Sequence, residues 1–228
     1  MSLALTTAEI TTIFTDGVQK HAGRMTEVYD DGRRLFMRSL LPHRGDVRPH
    51  DRMEGGLALS ANDDEICLHP YLYRQVCRNG AIMAQSVAAC HVELTEFATA
   101  DDVTCSLEEA IDRCSEKEVF AENLRMVRAA VHSNVLHALN AAPMLAQAQD
   151  KILSREILEI MDRFLKDRDR TQFSLMNAIT SLARDTRDPV QKWRLEELGG
   201  DVGAMLLPVQ PEDDDACQIA IDDSVTLA

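Results

Sequence analysis

Apolar residues recur in two different rhythms along this chain. Up to about residue 70 they mostly alternate with polar ones; beyond it they return every third or fourth position. The first spacing belongs to half-buried strands and the second to amphipathic helices. Leu3 to Gly17 is the early exception and predicts a short helix, with Thr6 or Thr7 as cap and Glu9 in its first turn. Met25 to Tyr29 and Arg34 to Leu41 flank Asp30-Asp31-Gly32, which predicts a β-hairpin because Asp-Gly tolerates positive φ. Leu57 to Ser60 and Glu65 to His69 flank Asn62-Asp63-Asp64 and predict a second hairpin, ended by Pro70. Between the two, Pro42 to Met53 carries two prolines, a glycine and mixed charges, and reads as an exposed loop.

From about Leu72 the helical period takes over. Gly80 interrupts it, and a helix is predicted over Ala81 to Glu96. Ser106 and Glu109 have the spacing of a capping box opening a helix that runs toward Leu139. Pro143 can start another. Ile152, Ile157, Leu158, Met161 and Leu165 form one apolar face, and Phe173 to Ala183 is a further helix. Asp188-Pro189 reads as a cap with a first-turn proline, and Gly199-Gly200 as a stop. The expected fold is α+β: two hairpins in one small antiparallel sheet, packed on a helical bundle. Residues 1–207 form one domain (1–70 strand-rich, 71–207 helical), and Pro208 to Ala228, with Asp213-Asp214-Asp215, is an acidic tail expected to be disordered.

Composition narrows the class. Of 228 residues, 45% are hydrophobic but only 4% aromatic, so the core is aliphatic. The N-terminus has no apolar leader and the chain no long apolar run, so no membrane partner and a cytoplasmic setting are expected. Six scattered cysteines then read as reduced thiols. The net charge is −14, yet residues 33 to 52 hold six arginines against two aspartates. Arg33, Arg34, Arg38, Arg44, Arg48 and Arg52, with Phe36 among them, suit phosphate contacts and base stacking. The competing reading pairs these arginines with the acidic helical half, within one chain or across an oligomer.

The string from Pro70 to Ala81 joins the two rhythms. Asn79-Gly80 suits a tight bend; alternatively the junction presents Arg74 and Arg78 to an anion at a helix start. Arg74-Gln75-Val76-Cys77-Arg78-Asn79 resembles the R-x-V-C-x-N signature of a family of phage- and plasmid-type proteins, domain of unknown function 932. Asn177-Ala178-Ile179-Thr180 and Leu195-Glu196-Glu197-Leu198-Gly199 resemble that family's later N-A-x-T and L-E-x-x-G patterns. The resemblance covers roughly residues 25 to 207 and implies a mobile-element class, without an activity to carry over. Cys77, Asn79, Gly80, Asn177, Thr180, Glu196 and Gly199 are its motif residues.

Other chemistry finds little footing. Cys90-His91, Cys105 and Cys114 lack the close ligand pairs of a zinc site, so no metal is expected. Asp162, Asp167 and Asp169 are interleaved with basic residues, as on a solvated helix face. Cys77 has arginine neighbours but no evident general base. No nucleotide loop or dinucleotide fingerprint is present, and no cofactor is expected. The leading expectation is a single-stranded nucleic-acid-binding or annealing protein acting as a homo-oligomer. A protein-assembly module is the alternative, and a Cys77-dependent enzyme the third.

Overall fold

The computed structural model describes residues 5–94, 99–133 and 154–205. Helix α1 (Thr7–Lys20) opens with a capping box: Thr6 Oγ1 accepts from the Glu9 amide at 3.2 Å, and the Thr6 amide donates to the Glu9 carboxylate at 2.7 Å. Strands β1 (Arg24–Asp30), β2 (Leu35–Arg48), β3 (Asp51–Ala61), β4 (Glu65–Arg74) and β5 (Asn79–Ile82) follow, antiparallel and in sequence order across the sheet. β6 (Cys90–Glu93) also pairs with β4, at the end β5 leaves open. Helices α2 (Ala100–Cys114), α3 (Lys117–His132), α4 (Ser154–Lys166), α5 (Gln172–Asp185) and α6 (Pro189–Ala204) complete the described chain. The α+β class is as expected, with a larger sheet than two short hairpins supply.

Two stretches differ from their sequence reading. Residues 42–53 are not an exposed loop: β2 and β3 run on through them, with Arg44 opposite Glu54 and Asp46 opposite Arg52. The two prolines fit because Pro42 lies at a register shift and Pro49 in the turn, where no ladder hydrogen bond is required of them. Nor is the described part of the next stretch, Leu72 to Leu94, helical. It carries the end of β4, a turn, β5 and β6. Tyr71 and Tyr73 share one face of β4 and Leu72 takes the other, an alternation that outweighs the spacing of the apolar residues. Pro70 does not end β4. Its carbonyl accepts from the Met83 amide at 2.9 Å, on the side where β5 and β6 leave His69 and Pro70 without strand partners, so the missing N–H costs no ladder bond.

The helices correct smaller points. α2 is capped by Thr99, whose Oγ1 accepts from the Asp102 amide, and Ser106 lies within it. Ser115 and Glu116 separate α2 from α3. On α4, Ile160 and Phe164 are buried while Leu158 is 71% exposed, so the inward face is rotated from the one inferred. The Asp188 cap is as read, accepting from the Val190 and Gln191 amides. Gly199 and Gly200 do not stop α6 but lie inside it. The Pro143 helix start and the acidic tail fall outside the described residues. No helix among the described residues is long and apolar enough to cross a membrane.

One face of the sheet carries two core clusters. Leu35, Met37, Leu57, Leu59, Ile66 and Leu68 meet Ile10, Phe14 and Val18 of α1 and Leu107 and Ile111 of α2. Met53, Leu72, Ala81 and Met83 meet Phe120, Leu124 and Val127 of α3 and the inner residues of α4, α5 and α6. The other face is covered locally, where Phe36, Leu40, Ala58, Tyr71 and Ile82 pack on Trp193 of α6. Gly200 lets α6 lie directly on β5, because a Cβ there would collide with the Ile82 carbonyl. This docking builds one wall of the cleft described next.

Candidate functional site

The second sheet face forms a cleft of about 410 Å³ between β1, β2, β4 and β5 on one side and the α5 and α6 wall on the other. Strand alternation aims Arg38, Leu40, Tyr71 and Tyr73 into it, Arg24, Thr26, Glu27, Arg78, Arg184, Lys192 and Glu196 complete its polar lining, and Asn79 and Gly80 border it on β5. Five basic side chains thus face two acidic ones.

Its floor is a buried ion-pair network. Arg38 Nε donates to Glu196 Oε2 at 2.7 Å, and its Nη2 lies 2.6 Å from the same oxygen. Arg38 Nη1 donates to Glu27 Oε2 at 3.1 Å, and Lys192 Nζ donates to that oxygen at 2.6 Å. The Arg38 guanidinium also lies over the Trp193 ring. Burial opposes the charge on Arg38, but the carboxylates of Glu196 and Glu27 outweigh it and raise its pKa. Burial likewise raises Glu27, but Arg38 and Lys192 prevail and hold it below the ordinary carboxylate value. Glu196 moves up, because burial exceeds the pull of Arg38 and Lys192. Tyr71 stays a phenol: burial, then Glu196, push its pKa well above the usual value.

The motif residues converge on the same wall. Asn79 Nδ2 donates to Thr180 Oγ1 at 2.5 Å, and Thr180 Oγ1 donates to the Met176 carbonyl at 3.0 Å. That second bond uses the hydroxyl proton, so Thr180 can only accept from Asn79, and this fixes the orientation of the amide. Asn79 Oδ1 is then left without a hydrogen-bond partner although Asn79 is 4% exposed. A buried acceptor in this state is costly unless something supplies a donor. Gly80 is required by the Tyr71 hydroxyl, which occupies the place of its Cβ, and not by a bend. The left-handed residue of the β4–β5 turn is Arg78, at φ 53°. Gly199 makes room for the Thr180 methyl. Asn177 is half-buried, and its carbonyl accepts a second, longer contact of 3.4 Å from Thr180.

The arginine-rich segment is distributed otherwise. Phe36 is buried, 5.4 Å from Trp193 between ring centroids, and Arg38 is inside the network above, so neither is presented at the surface. Arg44 pairs with Glu54 at 2.9 Å and Arg52 with Asp46 at 3.3 Å. Arg48 pairs with Asp169 and lies over Phe173. Arg74 grips Asp51 with two hydrogen bonds of 2.6 and 2.7 Å. Arg34 lies 3.6 Å from Asp31, and Arg33 is exposed at the β1–β2 turn. Arg78, by contrast, has no hydrogen-bond or ion-pair partner among the described residues and stands at the cleft.

Cys77 is in the β4–β5 turn and not at a helix N-terminus. Its Sγ accepts from Arg74 Nη1 at 3.2 Å, and Arg184 Nη1 donates to its carbonyl at 2.8 Å. No general base faces it among the described residues. Cys90 and His91 point to opposite faces of β6, Cys105 is exposed on α2, and Cys114 is buried against the Ala88 carbonyl, so this set does not converge. Sequence reading missed Arg24, Glu27, Tyr71, Tyr73, Arg184 and Lys192 as cleft residues. Only the Tyr71-x-Tyr73 alternation carried a signal, that of two aromatic rings on one strand face. Comparison with known proteins finds no match to this chain, whether among protein-family models, curated proteins or solved structures.

Proposed function

We propose that this protein binds single-stranded nucleic acid without catalysing a reaction, and that one nucleotide of the strand enters the cleft. The carrying observation is Arg78, a cation without a partner among the described residues, standing at a cleft lined by five basic side chains and two acidic ones. A nucleotide supplies the complement: a phosphate for Arg78, with Arg184, Arg24 and Lys192 around it. Tyr73, half-buried at the cleft, offers a ring for stacking. Thr180, Glu196 and Gly199, residues of the later short strings, line or brace the wall of this cleft. In this reading the protein acts in the cytoplasm as a homo-oligomer that holds or anneals strands, and Arg33 and Arg34 extend the phosphate track.

Anisotropy titration of a labelled single-stranded oligonucleotide at several salt concentrations tests the reading. Binding is expected to weaken with salt, by a log–log slope of roughly 0.7 per phosphate contact. Tyr73→Ala is expected to weaken binding by about 1–3 kcal/mol without changing that slope, because it removes the stacking ring. No binding at low salt overturns the reading in favour of an assembly module.

A further inference from the structure

At the far end of β4 lies a second cluster, unconnected with the cleft chemistry. The register pairs Glu65 with Glu93, Ile66 with Val92, Cys67 with His91 and Leu68 with Cys90. Ile66 and Leu68 belong to the core, so Glu65, Cys67, His91 and Glu93 share the opposite face. There the Glu65 carboxylate, the Cys67 thiol and the His91 imidazole bring one ligand atom each within 4.8 Å of one another. His91 Nε2 and Glu65 Oε2 are already 2.6 Å apart. Glu65 and His91, with Asp64, Glu93 and Leu94, line an open pocket of about 320 Å³.

We propose that Glu65, Cys67 and His91 are the ligands of a zinc(II)-class divalent ion. Thiol, imidazole and carboxylate are the donor types zinc accepts, and sulfur with nitrogen disfavours magnesium and calcium. Bonds of about 2.0–2.3 Å in a tetrahedron place ligand atoms roughly 3.5 Å apart, so side-chain rotation alone closes the observed triangle. Two ligands come from alternate residues of one strand and the third from the directly paired residue of its neighbour. Strand pairing thus delivers the close ligand set that a helical turn delivers in other sites. The surroundings supply negative charge in excess: Glu93 is cross-strand from Glu65, and Asp64 precedes it. Glu93 or water takes the fourth position, and the Cys67 proton passes to the buffer on coordination. The ion would pin β6, a strand of four residues, to β4.

The test uses the full chain, reduced, stripped with chelator and titrated with Co(II) and Zn(II). One equivalent of Co(II) is expected to bind and to give a thiolate-to-cobalt charge-transfer band, displaced by Zn(II) but not by Mg(II). Cys67→Ser should abolish that band, His91→Ala should weaken binding at least about tenfold, and Cys105→Ser, an exposed cysteine elsewhere, should change neither. Zn(II) should also slow alkylation of Cys67 in the wild-type chain, read by peptide mass spectrometry, an arm independent of whether the variants fold. A band that survives Cys67→Ser, or Cys67 alkylation unaffected by Zn(II), overturns the proposal.

Discussion

The β2–β3 arm and the cleft are both rich in arginine, and they differ in what those arginines touch. In the arm each guanidinium has met an acid: Arg44 with Glu54, Arg48 with Asp169, Arg52 with Asp46. At the cleft Arg38, Arg24 and Arg184 are matched to Glu196, Glu54 and Asp185, while Arg78 has no partner among the described residues. A run of basic residues in a sequence therefore does not locate an anion site. The local surplus of the arm is spent on intrachain pairs, and the cleft assembles its charge from four elements and a turn that no short stretch of sequence joins.

The contrast can be broken at four points. The largest effect is expected at the cleft floor. Glu196→Ala leaves Arg38 buried without its main partner and should cost about 3–5 kcal/mol in chemical denaturation; a loss no greater than that of an exposed arm pair would abolish the distinction. Next comes Arg78→Gln, which should leave the melting temperature unchanged and weaken oligonucleotide binding by about 1.5–3 kcal/mol, the range of a charge-assisted hydrogen bond. Equal losses for Arg78→Gln and Arg44→Gln would place binding on the arm after all. The third point is pH. Glu27 has its folded pKa lowered, so its contribution is complete above the unfolded carboxylate value and is lost as pH falls through the folded one. Wild-type stability should fall more steeply than that of Glu27→Gln across that acidic window. Glu196 shifts in the opposite direction and cannot mimic this loss. The smallest effect is expected for Arg52→Gln, at most about 1 kcal/mol on stability, since both partners of its pair are half exposed.

Features written in neighbouring residues were legible in the sequence. Gly32 takes a φ of 80°, and Asp31 Oδ1 accepts from the Arg33 and Arg34 amides, as an Asp-Gly turn predicts. Asn62 Oδ1 likewise accepts from the Asp64 and Glu65 amides. Features that depend on distant partners were not legible. Gly199-Gly200 has the form of a helix stop, and only Thr180 and the Ile82 carbonyl reveal why glycine is needed inside α6. Leu158 and Ile160 are equally apolar in sequence, and packing alone chooses Ile160. The site follows the same division. Asn79, Thr180, Glu196 and Gly199 stood out as members of short strings, but that Asn79 bonds Thr180 and Arg38 bonds Glu196 depends on how the sheet meets α5 and α6. Lys192 and Arg184 carry no local mark at all.

The interruption at Pro70 has a dynamic consequence. β5 and β6 occupy the same edge of β4 but share no ladder bond across His69 and Pro70. Each can therefore detach as its own small opening unit, with its own free energy. β5 is held down by α6 through Gly200, whereas β6 presents alternate residues to solvent. Amide protons of Cys90–Glu93 should accordingly exchange with deuterium well before those of Asn79–Ile82, and one face of the molecule should breathe at one end while the other stays closed.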